Sequence, residues 1–383
     1  MKKYRLSRLY PITSLGDHAP INSTKGVELQ HQNDREDISK ETAAFIVDDL
    51  GKTDWRFITP DHPGLYYIGR IDNHDQQAPV LIWQGTEVRT SFTGKNIGFR
   101  FSGAWGQNYF NVIIDGSIKL LKLKEGATQD YLLAATLPEG THHLILYKRS
   151  EAMFGNVSFR GLILEKGAVL GSKPEPLPLR IEFYGDSITA GACNEDLNAD
   201  QYEDSSTHNN YLSYAAITAR SLNAEHFNIA VSGTGLCYSW NPILMPEVYD
   251  KLYPDKTSGE YVAQGRKPDI VLINLGQNDY GYPNSLGLPF PVAFTEKYLE
   301  FVRNIRVTYP DSHIVCAIGG MTVYHESEEF RTAFEEAVAE LKTADHQIYS
   351  LTFNASTANH PRVDTHAKLA AELTAFLKRI IIR

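Results

Sequence analysis

The sequence predicts two folded parts of different class, an all-β sandwich followed by an α/β domain built on a parallel sheet. Three observations carry this reading. From Leu65 to Leu164 the chain is a series of short apolar runs broken by turns, with no helical stretch between them. A proline-rich segment follows. From Arg180 onward apolar runs alternate with segments of helical period, which implies a parallel sheet covered on both faces.

Strands of the first part are expected at Leu65–Ile71, Pro79–Trp83, Asn96–Phe101, Tyr109–Ile114, Ile118–Leu123, His142–Lys148 and Val157–Leu164. Asp115-Gly116 lies between two of these runs and fits a type I′ hairpin, whose two central residues both need positive φ. Pro174, Pro176 and Pro178 interrupt residues 171–179 at every second position, blocking helix and ladder alike, so this stretch reads as a linker. Beyond it, strands are expected at Ile181–Tyr184, His226–Ala230, Ile270–Leu275, His313–Ile318 and Gln347–Phe353. One helix presents Phe330, Phe334, Val338 and Leu341 on a single face, with Ser327 as N-cap and Glu328 and Glu329 in its first turn. The last helix begins near Asp364 and carries Ala370, Leu373, Leu377 and Ile380 on its apolar side. The predicted organisation is therefore an N-terminal extension over 1–60, a sandwich over 61–170, the linker over 171–179 and the α/β domain over 180–383. Within the extension, Asn33–Glu41 is polar and charged, and Ala43–Val47 suits a strand or a short helix.

Composition excludes several classes. The 383 residues carry a net charge of −9, with 42% hydrophobic and 22% charged residues. That balance is ordinary for a soluble globular protein, and it lacks the clustered positive charge that nucleic-acid binding needs. No apolar run is long enough to span a bilayer. Met1–Tyr10 contains Lys2, Lys3, Arg5 and Arg8 but no apolar stretch behind them, so it is not a secretory signal. The expectation is a cytoplasmic protein, or a secreted one whose signal has been removed. Three cysteines, Cys193, Cys237 and Cys316, do not make a disulfide framework or a zinc spacing. Free thiols are the simpler reading, with a Cys193–Cys237 bridge left open. His142, His143, His208, His325 and His366 share no metal-ligand spacing either.

Four short blocks carry chemistry, each placed just after a predicted strand, where open parallel sheets build their active sites. Gly185-Asp186-Ser187-Ile188-Thr189 puts a serine hydroxyl at a strand-to-helix turn, beside backbone N–H groups suited to a developing oxyanion. Alone, such a serine would read as a helix N-cap. Asn228–Leu236 places Gly233 after a strand, where backbone approaches a ligand without a Cβ in the way. Gly276-Gln277-Asn278-Asp279 offers the Asn278 amide, and His360-Pro361 brings an imidazole to the same sheet edge.

In this order and context the blocks resemble the SGNH (GDSL-type) hydrolases. The resemblance implies a flavodoxin-like three-layer α/β/α domain, Ser187 as nucleophile and His360 as general base. It also implies an oxyanion hole of the Ser187 N–H, the Gly233 N–H and the Asn278 side chain. A sandwich with Gly69-Arg70-Ile71 near its start, a proline-rich linker, EFYGDSITAG, INLGQNDY at 273–280 and HPRVDTHAKLA at 360–370 are together similar to carbohydrate esterase family 2. That family joins a jelly-roll domain to the SGNH domain. Membership implies removal of acetyl groups from xylan or other plant-type oligo- and polysaccharides through an acyl-enzyme, with an acetylated carbohydrate as partner and no cofactor or metal. The alternatives are an esterase for other acyl groups or lipids, and a non-catalytic carbohydrate-binding descendant.

One position departs from the pattern. SGNH enzymes carry an aspartate three residues before the histidine, and Thr357 stands there. The resemblance then implies a Ser–His dyad, with a backbone carbonyl fixing the imidazole tautomer. Asp364, the nearest downstream carboxylate, reads as an N-cap or first-turn acid of the last helix. Trp240 and Tyr280 are the sugar-contact candidates, with Tyr238 and Tyr282 beside them, since sugar C–H faces stack on such rings. Ordinary packing is the competing reading for at least half of the four.

Overall fold

In the computed structural model, residues 44–47, 55–133, 137–263 and 265–381 are described. Asp115 and Gly116 take φ of 50° and 85°, and the hairpin they close pairs Ile114 with Ser117. The strands before the linker are β1 (Ala44–Val47), β2 (Trp55–Ile58), β3 (Tyr66–Ile68), β4 (Ile71–Asp72), β5 (Val80–Leu81) and β6 (Glu87–Thr93). They continue as β7 (Ile97–Gly106), β8 (Tyr109–Ile114), β9 (Ser117–Lys122), β10 (Gln129–Leu133), β11 (Thr141–Lys148) and β12 (Gly155–Glu165).

They form two antiparallel sheets. One runs β1-β10-β7-β12-β5-β4, with β2 also on β12, and the other β3-β6-β11-β8-β9. Phe99, Phe101, Phe159 and Leu162 of the first face Val88, Phe110, Val112, Leu144 and Leu146 of the second in one apolar core. This is a β-sandwich, and its first two strands lie before residue 61, where the sequence pattern begins it. Residues 1–43 and 48–54 of the expected extension lie outside the described residues. Strands β6 and β10 were not anticipated. In β6 only Val88 and Phe92 are large apolar residues, and Thr90 fills the buried position between them, so its period-2 pattern has little hydrophobic contrast.

Residues 171–179 hold no helix, and β13 (Leu179–Gly185) starts at their end. It lies inside a five-stranded parallel sheet of order β14-β13-β15-β16-β17, formed with β14 (Ala224–Ala230), β15 (Ile270–Asn274), β16 (His313–Met321) and β17 (Ile348–Thr357). The helices are α1 (Ser187–Ala190), α2 (Tyr214–Ser221), α3 (Met245–Val248), α4 (Gln277–Ser285), α5 (Phe294–Thr308), α6 (Val323–Glu326), α7 (Glu328–Ala344) and α8 (Val363–Ile381). Helices α2 and α8 bury Tyr214, Ala215, Leu369 and Leu373 against one face of the sheet. On the other, α5 and α7 bury Phe301, Val302, Phe334 and Val338. Ser327 caps α7 by accepting from the Phe330 N–H at 3.2 Å.

The sandwich is keyed into this domain, and the described residues fall in one compact unit. Arg70 of the Gly69-Arg70-Ile71 motif is 2% exposed and donates to Glu182 Oε1 at 2.7 Å, the Tyr184 hydroxyl at 3.0 Å and the Tyr249 carbonyl at 2.6 Å. A buried guanidinium with this many acceptors is compensated; removing its carboxylate alone would strand a charge. Trp83 Nε1 donates to the Leu252 carbonyl at 2.8 Å, and Ile68, Ile82 and Trp83 share a core with Ile229, Val231 and Ile273.

Candidate active site

Strand β13 ends at Gly185, where a Cβ would collide with the Thr189 side chain. Asp186 then caps α1, its carboxylate accepting from the Ile188 N–H at 3.0 Å. This turn sets Ser187 at the first helical position, 5% exposed, at the carboxyl end of the sheet. His360, after β17, brings Nε2 to 2.8 Å from Ser187 Oγ. Its Nδ1 lies 2.6 Å from Asp200 Oδ2. With the Nδ1 proton donated to that carboxylate, Nε2 is the acceptor for the serine proton.

Asp200 corrects the dyad expectation. The acid is absent from the position before the histidine, but it arrives from the loop between α1 and α2, 160 residues upstream. Its other oxygen, Oδ1, accepts from Arg362 Nη1 at 2.7 Å. Although partial burial pushes the carboxyl up, the bonds from His360 and Arg362 hold it down at about 2. Thr357 finishes β17 and turns its hydroxyl to the Asn359 carbonyl at 2.8 Å. Asp364 is a half-exposed first-turn acid of α8, 3.8 Å from Lys368, and takes no part in the relay. Nothing local to Asp200 marks it, since Asp196 and Asp204 flank it at equal spacing. Arg362, two residues after the histidine, was the available hint of a carboxylate partner. Tyr202, from the same loop and also missed, sets its ring edge-on to His360 at 6.0 Å.

Gly233 has φ of 78° and backs onto Trp240, whose Cβ would lie 3.1 Å from an added methyl. The carbonyl of Ser232 accepts from Asn241 Nδ2 at 2.8 Å. Because the peptide is trans, the Gly233 N–H points away from Asn241. The following loop is wrapped around Asp279, whose carboxylate accepts from the N–H groups of Leu236, Cys237 and Tyr238 at 3.0, 2.5 and 3.0 Å. Burial pushes Asp279 up to about 6 even so. Asn278 Nδ2 donates to the Thr234 carbonyl at 2.9 Å and to Asp186 Oδ2 at 3.2 Å. That amide therefore joins the serine block to the glycine block. Burial pushes the Asp186 carboxyl up to about 7.

The aromatic candidates divide. Trp240 meets Tyr282 edge-on at 5.1 Å, and Tyr238 lies 6.2 Å from Tyr282. Tyr280 packs instead against the core under the sheet. On α4, Asn278 and Tyr282 are four residues apart and share a face, whereas Tyr280 falls on another. The three cysteines are free. Cys193 and Asp196 converge with His208, and Cys193 also with Asp200 and His360, at metal-ligand range. Both sets are already committed within the protein: Cys193 Sγ and His208 Nε2 both bond the Gln201 carbonyl, and Asp196 accepts from Gln201 N. No helix among the described residues is long and apolar enough to cross a membrane.

A serine after the first strand of a parallel sheet, relayed through imidazole to carboxylate, makes the C-terminal domain an SGNH hydrolase, and a "GDSL-like Lipase/Acylhydrolase family" model matches residues 183–373. A second model, "Carbohydrate esterase 2 N-terminal", matches residues 67–174. The solved structure of a family two carbohydrate esterase from Clostridium thermocellum, in complex with cellohexaose, superposes with a TM-score of 0.75 at 32% identity, covering 83% of this chain and 99% of that one. The chain belongs to carbohydrate esterase family 2. Among curated relatives, the cellulase/esterase CelE of Acetivibrio thermocellus is 35% identical over 328 residues, 83% of this chain. The match spans 40% of the length of CelE. An acetylxylan esterase / glucomannan deacetylase of Cellvibrio japonicus is 27% identical over 345 residues, 85% of this chain and 91% of that protein.

Proposed function

We propose that this chain is a carbohydrate O-acetylesterase acting by two-step acyl transfer. The observation that carries the reading is the Ser187–His360–Asp200 relay, with 2.8 and 2.6 Å links. In the first step Ser187 Oγ attacks the acetyl carbonyl carbon while His360 Nε2 takes its proton. The same proton then passes to the departing sugar oxygen, leaving an acetyl-serine. In the second step His360 takes a proton from water, the resulting hydroxide attacks the acetyl carbon, and Ser187 leaves with the proton as acetate departs. Asp200 stabilises the imidazolium in each step. The backbone N–H groups of Ser187 and Gly233 and the Asn278 amide are assigned to the oxyanion. Asn278 donates to Thr234 and Asp186 at rest, so donation to the substrate oxygen requires that one of these bonds be given up.

The relatives' names, acetylxylan esterase and glucomannan deacetylase, support an acetylated plant polysaccharide as substrate. The cellohexaose complex of a relative supports a β-linked glucan as a further ligand, for which Trp240 and Tyr282 are the proposed stacking surfaces. We also read the sandwich as the jelly roll that the family match over 67–174 supports. The test is acetate release from acetylated xylan and glucomannan oligosaccharides by the wild type and by Ser187→Ala. Loss of about 10⁴- to 10⁶-fold in kcat is expected of the folded variant. Release at the wild-type rate would reject the mechanism.

A further inference from the structure

We propose that the sandwich contributes a positioning residue to catalysis: Glu151, which holds the Ser232–Gly233 peptide for oxyanion binding. The inference rests on the assignment of Ser187 and Gly233 above and extends it to the other domain. Glu151 lies in the turn after β11 and is 2% exposed. Its Oε1 accepts from the Ser232 N–H at 2.6 Å, and its Oε2 from the Ser232 hydroxyl at 2.6 Å. Ser232 is itself 4% exposed and immediately precedes Gly233. With the Ser232 carbonyl held by Asn241 at 2.8 Å, the residue before the oxyanion donor is fixed at nitrogen, hydroxyl and carbonyl. A peptide anchored at these points cannot rotate its next N–H away from the developing charge. That is the preorganisation on which oxyanion stabilisation depends.

Glu151 is braced in turn by its own domain. Gln84 Oε1 accepts from the Ala152 N–H at 3.0 Å, while Gln84 Nε2 donates to the Ala230 carbonyl at 2.7 Å and to Asn228 Oδ1 at 2.9 Å. The sandwich thus grips the end of β14 just before the oxyanion loop begins. Its neighbour Arg149 donates to Glu195 and, at 2.8 Å, to the Ser206 carbonyl, on either side of Asp200 in sequence. One short segment of the sandwich therefore touches both loops that complete the relay on Ser187. Glu151 bonds Ser232 and none of Ser187, His360 and Asp200, so its hydrogen bonds act on the reacting atoms through Gly233, while its charge also interacts with His360.

The test compares two variants of similar size in the full chain. Glu151→Gln keeps an oxygen for the Ser232 N–H, and its amide donates to the Ser232 hydroxyl. Glu151→Met fills the space with no acceptor. We expect Glu151→Met to lower kcat by about 10²-fold, the scale of losing one oxyanion donor, with KM and the affinity for the deacetylated oligosaccharide unchanged. Glu151→Gln retains kcat within about tenfold. A folded Glu151→Met enzyme with wild-type kcat, or equal losses in both variants, overturns the inference. If Glu151→Met does not fold, Glu151→Asp decides, because it withdraws the carboxylate by one methylene. A fall in kcat at constant KM supports the inference, and an unchanged kcat overturns it. Ser187→Ala assayed alongside separates the two levels: activity there rejects the underlying mechanism instead.

Discussion

Asp200 meets His360 at two points: Oδ2 is 2.6 Å from the ring Nδ1 and 3.3 Å from the backbone N–H of the same residue. The opposite oxygen holds Arg362 at 2.7 Å, and Arg362 reaches back to the His360 carbonyl at 3.0 Å. The imidazole is thereby fixed in orientation and tautomer by a closed set of bonds. Asp200→Asn presents an amide to Nδ1 and favours the wrong tautomer, so kcat should fall by about 10⁴-fold. Asp364→Asn should stay within about tenfold of the wild type and lower the melting temperature slightly. Steady-state kinetics on the folded variants checks both. The reverse ranking would remove Asp200 from the relay.

Acid stability follows from the same carboxylate. Its folded value of about 2 lies below the ordinary 3.8, so the unfolded chain binds the proton more readily. The contribution is complete above pH 4, shrinks as pH falls and is gone below about pH 2. Allowing for solvent screening, it amounts to about 1 kcal/mol. Urea unfolding of the wild type and Asp200→Asn between pH 6 and pH 2 should give a stability difference that narrows over the lower half of that range. A difference that stays constant to pH 2 would contradict the assignment.

Asn278→Ala removes an amide that now bridges Thr234 and Asp186. Its kcat should drop by roughly 10²- to 10³-fold with little change in KM, because the bond strengthens as the oxyanion forms. An effect confined to KM would make Asn278 a ground-state binding residue.

The aromatic residues divide between binding and stability. Trp240→Ala should raise KM for acetylated oligosaccharides by about tenfold, equivalent to about 1.4 kcal/mol of lost contact, while leaving nitrophenyl acetate hydrolysis close to wild type. Tyr280→Ala, at the edge of the core, should instead cost about 2 kcal/mol of stability at unchanged KM. Thermal melts and kinetics on both substrates distinguish the two outcomes.

Asp279 illustrates a residue whose role the motif alone misreads. Standing beside Asn278, it looks like part of a polar loop, yet it is fully buried and folds three successive N–H groups of the loop after Gly233 around itself. A buried carboxylate needs donors, and the peptide groups after Gly233 supply them.

The sequence by itself determined what depends on neighbours along the chain. The Asp115-Gly116 hairpin, the Ser327 cap and the apolar face of α7 all follow from local backbone chemistry and periodicity. So does the placement of Ser187, Gly233, Asn278 and His360 after strands, because a strand-to-helix turn is a local event that leaves its residues at one sheet edge. The tertiary structure decided whatever joins distant segments. Asp200 sits in a loop with other carboxylates, and only chain closure selects it to meet His360. Likewise Glu151 and Arg70 belong to a sandwich on the far side of the linker, and their partners are fixed by the packing of one domain on the other. Side-chain bonds across such distances have no period and no spacing, since a carboxylate accepts any donor that the fold brings within about 3 Å.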